Sequence, residues 1–489
     1  MAIRPKIKLF GYSTIIYGFS NLLTKIVAIT LVPLYTTYLT VFEVGIIALL
    51  EMIELFVVTI IPIGCVNAMW RYLPEEKGLK KNKIIISTFT IIILSGIIIT
   101  GLLLLFKGSV GKVFNIPNDN NLLLFVFASC FLRAISNFIY WLLQYKNQAF
   151  YCLILSLIQF ISLVGLTIYF IFGCNLGVIG IYYAKIIVFS TIFISTLLFL
   201  IKTVPVLPSF DLIKKMLSYG LPLIPLILLM PVLTVSDRYF LNIFGSVEEI
   251  GQYAIAYKFG LLINIVLVLP IQRSWGPQMF QGGSSLKENK DIHEDITFYY
   301  SFIGLFILLG LSFFSDTIIS IFANENYLSL SWLIPWISLA YFIGGFRIFL
   351  QASASIADRT NLFVKTGIYT IFSNIILNYI LIKYFGIRGA VASTILSYLI
   401  LVVLLLITSN SINEIRWPIK KILHGAFIAA LLIIVFESIK DFTLNYEIII
   451  KFILLVLFPI ISIATKLIGY KEINGLRSIW YSMVKKSIV

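Results

Sequence analysis

Along this chain apolar residues do not alternate with polar ones. They run in long blocks, many free of charge for 18 residues or more, such as 84–106 and 149–172. A block of that length, coiled as a helix, spans the roughly 30 Å hydrocarbon core of a bilayer. Inside lipid the backbone must bond to itself, which leaves helices or a closed barrel. Barrel strands alternate over about ten residues and these blocks do not, so the pattern predicts helices. They fall at roughly 12–34, 42–66, 84–106, 122–143, 149–172, 177–201, 217–241, 251–272, 297–315, 332–356, 361–383, 387–407, 421–437 and 446–468. The expectation is an all-α integral membrane protein of about fourteen transmembrane helices.

Composition agrees. Of 489 residues, 60% are hydrophobic and 12% charged, against about 25% charged in soluble domains. An even number of spans puts both termini on one side, and the positive-inside rule makes that side cytoplasmic. Of the 37 Lys and Arg, 24 then fall on the cytoplasmic side and eight inside helices. Five remain for the outer loops: Lys107, Lys112, Lys383, Arg388 and Lys440. The net charge of +15 thus decorates a face near anionic lipid and calls for no nucleic acid. The basic N-terminus has no short apolar stretch with a small-residue cleavage site and reads as retained. Every loop is short, which argues against an enzyme with a large extramembrane surface. Cys65, Cys130, Cys152 and Cys174 form no CxxC pair and read as small core residues; His293 and His424 stand too far apart for a zinc site. No catalytic set, metal site or cofactor motif is expected.

The sequence also repeats. Tyr17-Gly18, Tyr35 and Glu43-Val44-Gly45 are echoed by Tyr219-Gly220, Tyr239 and Glu249-Ile250-Gly251. Six helices separate the copies, which predicts two parallel six-helix lobes, 1–201 and 202–407, followed by two C-terminal helices and a tail in 408–489.

Charges inside the membrane cost at least ~2.5–3.5 kcal/mol each, so they face a cavity or a partner. Eight are basic: Lys25, Arg133, Lys185, Arg238, Lys258, Arg347, Lys365 and Lys451. Four are acidic: Glu43, Glu51, Glu54 and Asp237. At ~1.5 Å per residue, Lys25, Arg133, Lys258 and Arg347 come near mid-membrane. Glu51 and Glu54 are level with Lys25, and at 100° per residue Glu54 and Glu43 share one stripe of the second helix. Lys365 and Lys451 lie near helix ends and can snorkel. Two readings stay open: Lys25 and Glu54 form a buried pair that only fixes packing, or these groups line a hydrated cavity. Because cations outnumber acids, such a cavity is expected to be net positive and to suit a phosphate or carboxylate. Pro222, Pro225 and Pro231 predict a bend in the seventh helix, static or moving.

YGFSNLLTK (17–25), SYGLPLIP (218–225), DRYFL (237–241), GQYAIAYK (251–258) and SWGPQMF (274–280), in this order, resemble the polysaccharide flippases. These are the Wzx-like O-antigen and repeat-unit flippases of the multidrug/oligosaccharidyl-lipid/polysaccharide exporter superfamily. The resemblance covers nearly the whole chain. It implies a V-shaped pair of lobes that alternate access and flip an undecaprenyl-diphosphate-linked oligosaccharide from the cytoplasmic to the outer leaflet. It implies a bacterial inner membrane, lipopolysaccharide assembly and glycan-polymerising membrane partners. It matches Lys25 and Lys258 to basic cavity residues on the first and eighth helices, and it implies a groove for the polyprenyl tail beside the last two. The expected headgroup site is Lys25, Arg133, Lys258, Arg347 and Arg238, with Glu51, Glu54 or Asp237 in proton or sodium coupling. A cation-coupled drug exporter, a lipid II flippase and a membrane glycan polymerase or ligase are the alternatives.

Overall fold

The computed structural model describes residues 27–116, 121–146, 148–272, 290–356, 361–412, 417–439, 446–467 and 469. They are helical almost throughout. Labelled in chain order, the helices are α1 (Val27–Tyr38), α2 (Val41–Ile60), α3 (Cys65–Tyr72), α4 (Gly78–Leu105), α5 (Lys107–Val113), α6 (Leu122–Tyr145), α7 (Ala149–Ile168) and α8 (Gly177–Thr203). There follow α9 (Phe210–Gly220), α10 (Ile224–Phe244), α11 (Val247–Gly260), α12 (Lys290–Phe313), α13 (Ser315–Phe322), α14 (Leu333–Gly345), α15 (Arg347–Ile356), α16 (Asn361–Ile412), α17 (Ile419–Ile439) and α18 (Glu447–Ala464).

Twelve helical stretches among the described residues are long and apolar enough to cross a membrane. The spans of α7 and α18 have mean hydropathies of 2.2 and 2.5, yet only 22% of each is buried inside the protein. An apolar helix face with no protein against it is at home only in lipid. This is a multi-pass membrane protein.

The element α16 explains why counting spans needs care. Its 52 residues are interrupted at Gly386, which has φ 54° and ψ −130°. A side chain would be strained at that positive φ, so glycine makes the break. The two arms fold back on each other. Asn374 Nδ2 donates to Ser397 Oγ at 3.0 Å, and Ser393 donates to Asn378. Those pairs nest around Gly386 and cannot form along one straight helix. The run thus holds the two predicted helices 361–383 and 387–407.

The prolines break the seventh predicted helix as expected. A 3₁₀ turn at Leu221–Leu223 separates α9 from α10, and Pro222 and Pro225 sit in first turns where no N–H is needed. Pro231 lies inside α10 without ending it. Two short helices, α5 and α13, were not expected from the pattern; neither is long enough to span.

The repeated motifs meet in space. Thr40 and Ser246 each open a helix with a capping box: Glu43 N–H donates to Thr40 Oγ1 and Glu249 N–H to Ser246 Oγ, both at 3.2 Å. Five residues on, Gly45 of α2 lies against Val247, and Gly251 of α11 lies against the Val41 carbonyl and the Gly45 backbone. No Cβ fits at either glycine, so the helices cross at backbone contact. Nearby, Asn242 Nδ2 donates to the Val113 carbonyl at 3.0 Å. At the far end of α2, Gly64 packs on Gly220. The N-terminal and C-terminal halves therefore touch near both ends of α2, and a space opens beside that helix in between.

Candidate functional site

Helix α2 is the spine of that space. Glu51 and Glu54 are three residues apart and project on one side of it. Two neighbouring carboxylates in a membrane protein repel each other unless cations intervene, and each here is held by two. Glu54 Oε1 accepts from Lys185 Nζ of α8 at 2.7 Å, and Oε2 accepts from Arg133 Nη1 of α6 at 3.3 Å. Ser129, one turn before Arg133, donates to Oε1 at 3.3 Å. Glu51 Oε1 accepts from Lys258 Nζ of α11 at 3.3 Å, and Oε2 lies 3.9 Å from Arg238 Nη1 of α10. Five helices thus contribute to one cluster.

The cluster is not sealed. It borders a cavity of about 310 Å³ lined by both glutamates, Arg133, Lys185, Arg238 and Tyr35, enough for roughly ten waters. Exposure grades across it. The side chain of Arg133 is 43% accessible and that of Glu51 28%, while Glu54 keeps 3%. Aromatic rings back two of the ammonium groups: Lys185 Nζ lies 4.5 Å from the Tyr182 ring and Lys258 Nζ 5.3 Å from the Tyr35 ring. Arg238 is buried, donates to the Ala48 carbonyl at 3.4 Å and leaves its Nε without a partner among the described residues. Three of the four cations, Arg133, Lys185 and Arg238, line the cavity with the two carboxylates and leave it net positive, with an orphan donor in its wall; Lys258 meets Glu51 from outside the lining.

The remaining candidates fall elsewhere. Asp237 turns to Tyr253, whose hydroxyl donates at 2.5 Å, and to the Arg238 N–H at 2.8 Å. It does not touch a side-chain cation among the described residues. Arg347 sits on α15, donating to Gln272 at 3.4 Å and facing Met230 Sδ at 3.8 Å, away from the cluster. Lys25 lies outside the described residues, as do positions 17–25 and 274–280. The expected acidic stripe does not form. Glu43 is used by the Thr40 cap, so only Glu51 and Glu54 reach the cavity. Lys451 pairs with Glu447 one turn back on its own helix at 2.6 Å.

Lys185 is the site residue that sequence reasoning passed over. It is one of the intramembrane cations, but its position along the helix does not say that it faces Glu54. Gln159, also on the cavity wall, accepts from the Tyr140 hydroxyl at 2.7 Å. No group of three His, Cys, Asp or Glu able to hold a metal occurs among the described residues.

Residues 10–282 match the polysaccharide biosynthesis protein family, which is more than half of the chain. The chain belongs to that family. It is also 28% identical over 185 residues to the Man(5)GlcNAc(2)-PP-dolichol translocation protein RFT1 of Kluyveromyces lactis. That match covers 34% of this chain and 32% of the RFT1 protein, about a third of each. Its structure is similar to that of the lipid II flippase MurJ in an inward closed conformation, with TM-score 0.73 and 20% identity over 92% of this chain and 99% of the other. It is similar as well to an inward-facing multidrug resistance MATE family transporter, with TM-score 0.65 and 15% identity over 80% and 94%. At those identities the likeness is one of fold. This member of the polysaccharide biosynthesis family thus shares its fold with membrane transporters.

Proposed function

We propose that this family member is a flippase for lipid-linked glycans, and that its passenger is an undecaprenyl-diphosphate-linked oligosaccharide carried from the cytoplasmic to the outer leaflet. The coarser reading rests on the polysaccharide family, the RFT1 relative and the MurJ-like fold. The finer one rests on a single observation: four cations surround two carboxylates beside a cavity that three of those cations line. Sugar hydroxyls cross hydrocarbon only at several kcal/mol for each unpaired group, so the headgroup needs a polar path. A net positive, partly hydrated cavity supplies it and holds the diphosphate. Arg offers paired donors and Lys a compact charge.

In this reading the halves are two six-helix lobes, 1–201 and 202–407, with 408–489 appended. The chain crosses the membrane fourteen times, and both termini are cytoplasmic in a bacterial inner membrane. Arg133, Lys185, Arg238 and Lys258 hold the headgroup, joined by Lys25. Glu51 and Glu54, each poised to exchange one cation for another, carry proton or sodium coupling; Asp237 is the weaker candidate because a tyrosine and a backbone N–H already hold it. A groove of about 570 Å³ between α12, α14 and α17, lined by Leu308, Phe313, Trp332, Leu339 and Ile433, suits an isoprenoid tail. The MATE-like fold keeps a drug exporter as the rival. An exporter of cationic drugs calls for an acidic cavity, and this one carries the opposite sign.

The test is Lys258→Ala. Surface polysaccharide should be lost while the folded protein remains in the membrane, with lipid-linked oligosaccharide accumulating on the inner leaflet. Unchanged export with that variant rules out the site.

A further inference from the structure

At the end of α2 opposite the two caps, the halves meet a second time, and the contact is polar. Residues Arg71 and Tyr72 close α3; Lys215 and Tyr219 lie on α9, just before the break at Leu221–Leu223. The four side chains are crossed. The Arg71 guanidinium lies 4.9 Å from the centre of the Tyr219 ring, and Lys215 Nζ lies 4.3 Å from that of Tyr72. The two rings meet edge to face, with centroids 6.0 Å apart. Each cation therefore leans on a ring from the other side of the seam. Beneath them Gly64, at φ 69°, packs directly on Gly220, and Ser209 N–H donates to Ser87 Oγ of α4 at 3.0 Å.

Two features set this seam apart from packing alone. Arg71 and Lys215 are both exposed, and neither has a carboxylate within ion-pair distance among the described residues. Exposed cations held by ring faces and, for Arg71, by a hydrogen bond to Tyr219 are weakly committed. Phosphate oxygens bind the same cations through charge-assisted hydrogen bonds, which are stronger. A diphosphate arriving here would compete with both tyrosines for the two cations.

We propose that Arg71, Lys215, Tyr72 and Tyr219 form a cytoplasmic entry latch, at which a diphosphate draws both cations off the rings and frees α9 to separate from α3. The proposal rests on the orientation and passenger class given above. It adds a first binding site, ahead of the Glu51–Glu54 cavity, and a reason why the mouth opens when cargo is present. The ligand chemistry is a diphosphate, whether carried on a lipid or free in solution.

The experiment places spin labels at Leu79→Cys and Asp211→Cys, on α4 and α9, in a Cys174→Ser background in lipid nanodiscs. Pulsed EPR then reads the distance across the seam. The parent should show mainly the short distance. Undecaprenyl diphosphate in the nanodisc should shift it to a longer one. If inorganic diphosphate at equal concentration does the same, the group alone is the trigger; if only the lipid form acts, the passenger is. Arg71→Gln with Lys215→Gln should raise the open fraction about tenfold without ligand and make it insensitive to either diphosphate. Arg71→Lys with Lys215→Arg should restore the parent response, which controls for misfolding. An unchanged distance in the Gln pair, or no response of the parent to either diphosphate, overturns the latch. Translocation of a lipid-linked oligosaccharide, measured on the same protein, separates the two claims. Intact transport with a rigid seam sinks the latch alone; absent transport with a responsive seam sinks the passenger assignment alone.

Discussion

Around α2, Glu54 is buried and Glu51 half-buried among cations; in the C-terminal half Asn374 and Asn378 are buried among serines. Ser236 Oγ donates to Asn374 Oδ1 at 2.8 Å, and Asn378 Nδ2 donates to Ser236 Oγ at 2.9 Å and to Asn374 Oδ1 at 3.1 Å. With Ser393 and Ser397 this ties α10 to both arms of α16 in a neutral network that is nearly all fully buried. Such a network satisfies itself and leaves nothing for a ligand. The charged cluster is different in kind. It has more cations than anions, an orphan donor and a cavity beside it. The same capping box and close glycine open α2 and α11, yet the polar groups buried near one serve as glue and those near the other as a site. The caps and close glycines recur in both halves because they fix helix entry and crossing; the buried polar residues do not recur because their task differs.

That contrast is open to attack by substitution. The largest effect is expected for Glu54→Gln, which strips the carboxylate from Arg133 and Lys185 at once. Breaking a buried pair costs about 3–5 kcal/mol, visible as a lower melting temperature in detergent. A loss under about 1 kcal/mol would mean that cavity water already screens both cations. Next comes Gly251→Leu, which drives a side chain into the Val41 carbonyl and the Gly45 backbone. Overpacking of this kind costs about 1–3 kcal/mol. It should also part α2 from α11, read as faster labelling of a cysteine placed at Glu51. Asn378→Ala should cost about 1 kcal/mol, the range for interhelical hydrogen bonds in membranes, with no change in ligand binding. A loss of binding there would make the neutral network part of the site. Smallest is Arg347→Gln: its guanidinium lies outside the cluster, so diphosphate binding should change less than about twofold.

Much of this was legible in the sequence. Apolar block length gave the spans, because lipid leaves the backbone few options. The surplus of intramembrane cations was visible by counting, and Pro222 and Pro225 marked the break that the structure has at Leu221–Leu223. What stayed hidden was azimuth. Counting residues gives a side chain's depth but not which neighbour it meets, so Arg133 and Arg347 looked equivalent while only Arg133 reaches Glu54. Lys185 was hidden for the same reason. Glu43 was legible and misassigned: Thr40-x-x-Glu43 spells a capping box, which competed with the stripe read from the helical wheel and won. The short helices α5 and α13 carry too few residues for periodicity to show.

The central claim is that net positive charge in the cavity, not the mere presence of polar groups, holds the passenger. Its most direct test is the affinity of purified protein for undecaprenyl diphosphate, comparing Glu51→Gln with the parent. Removing an anion that competes with the ligand for Lys258 and Arg238 should tighten binding several-fold, on the order of 1 kcal/mol. Binding that is weaker than or equal to that of the parent would contradict the account.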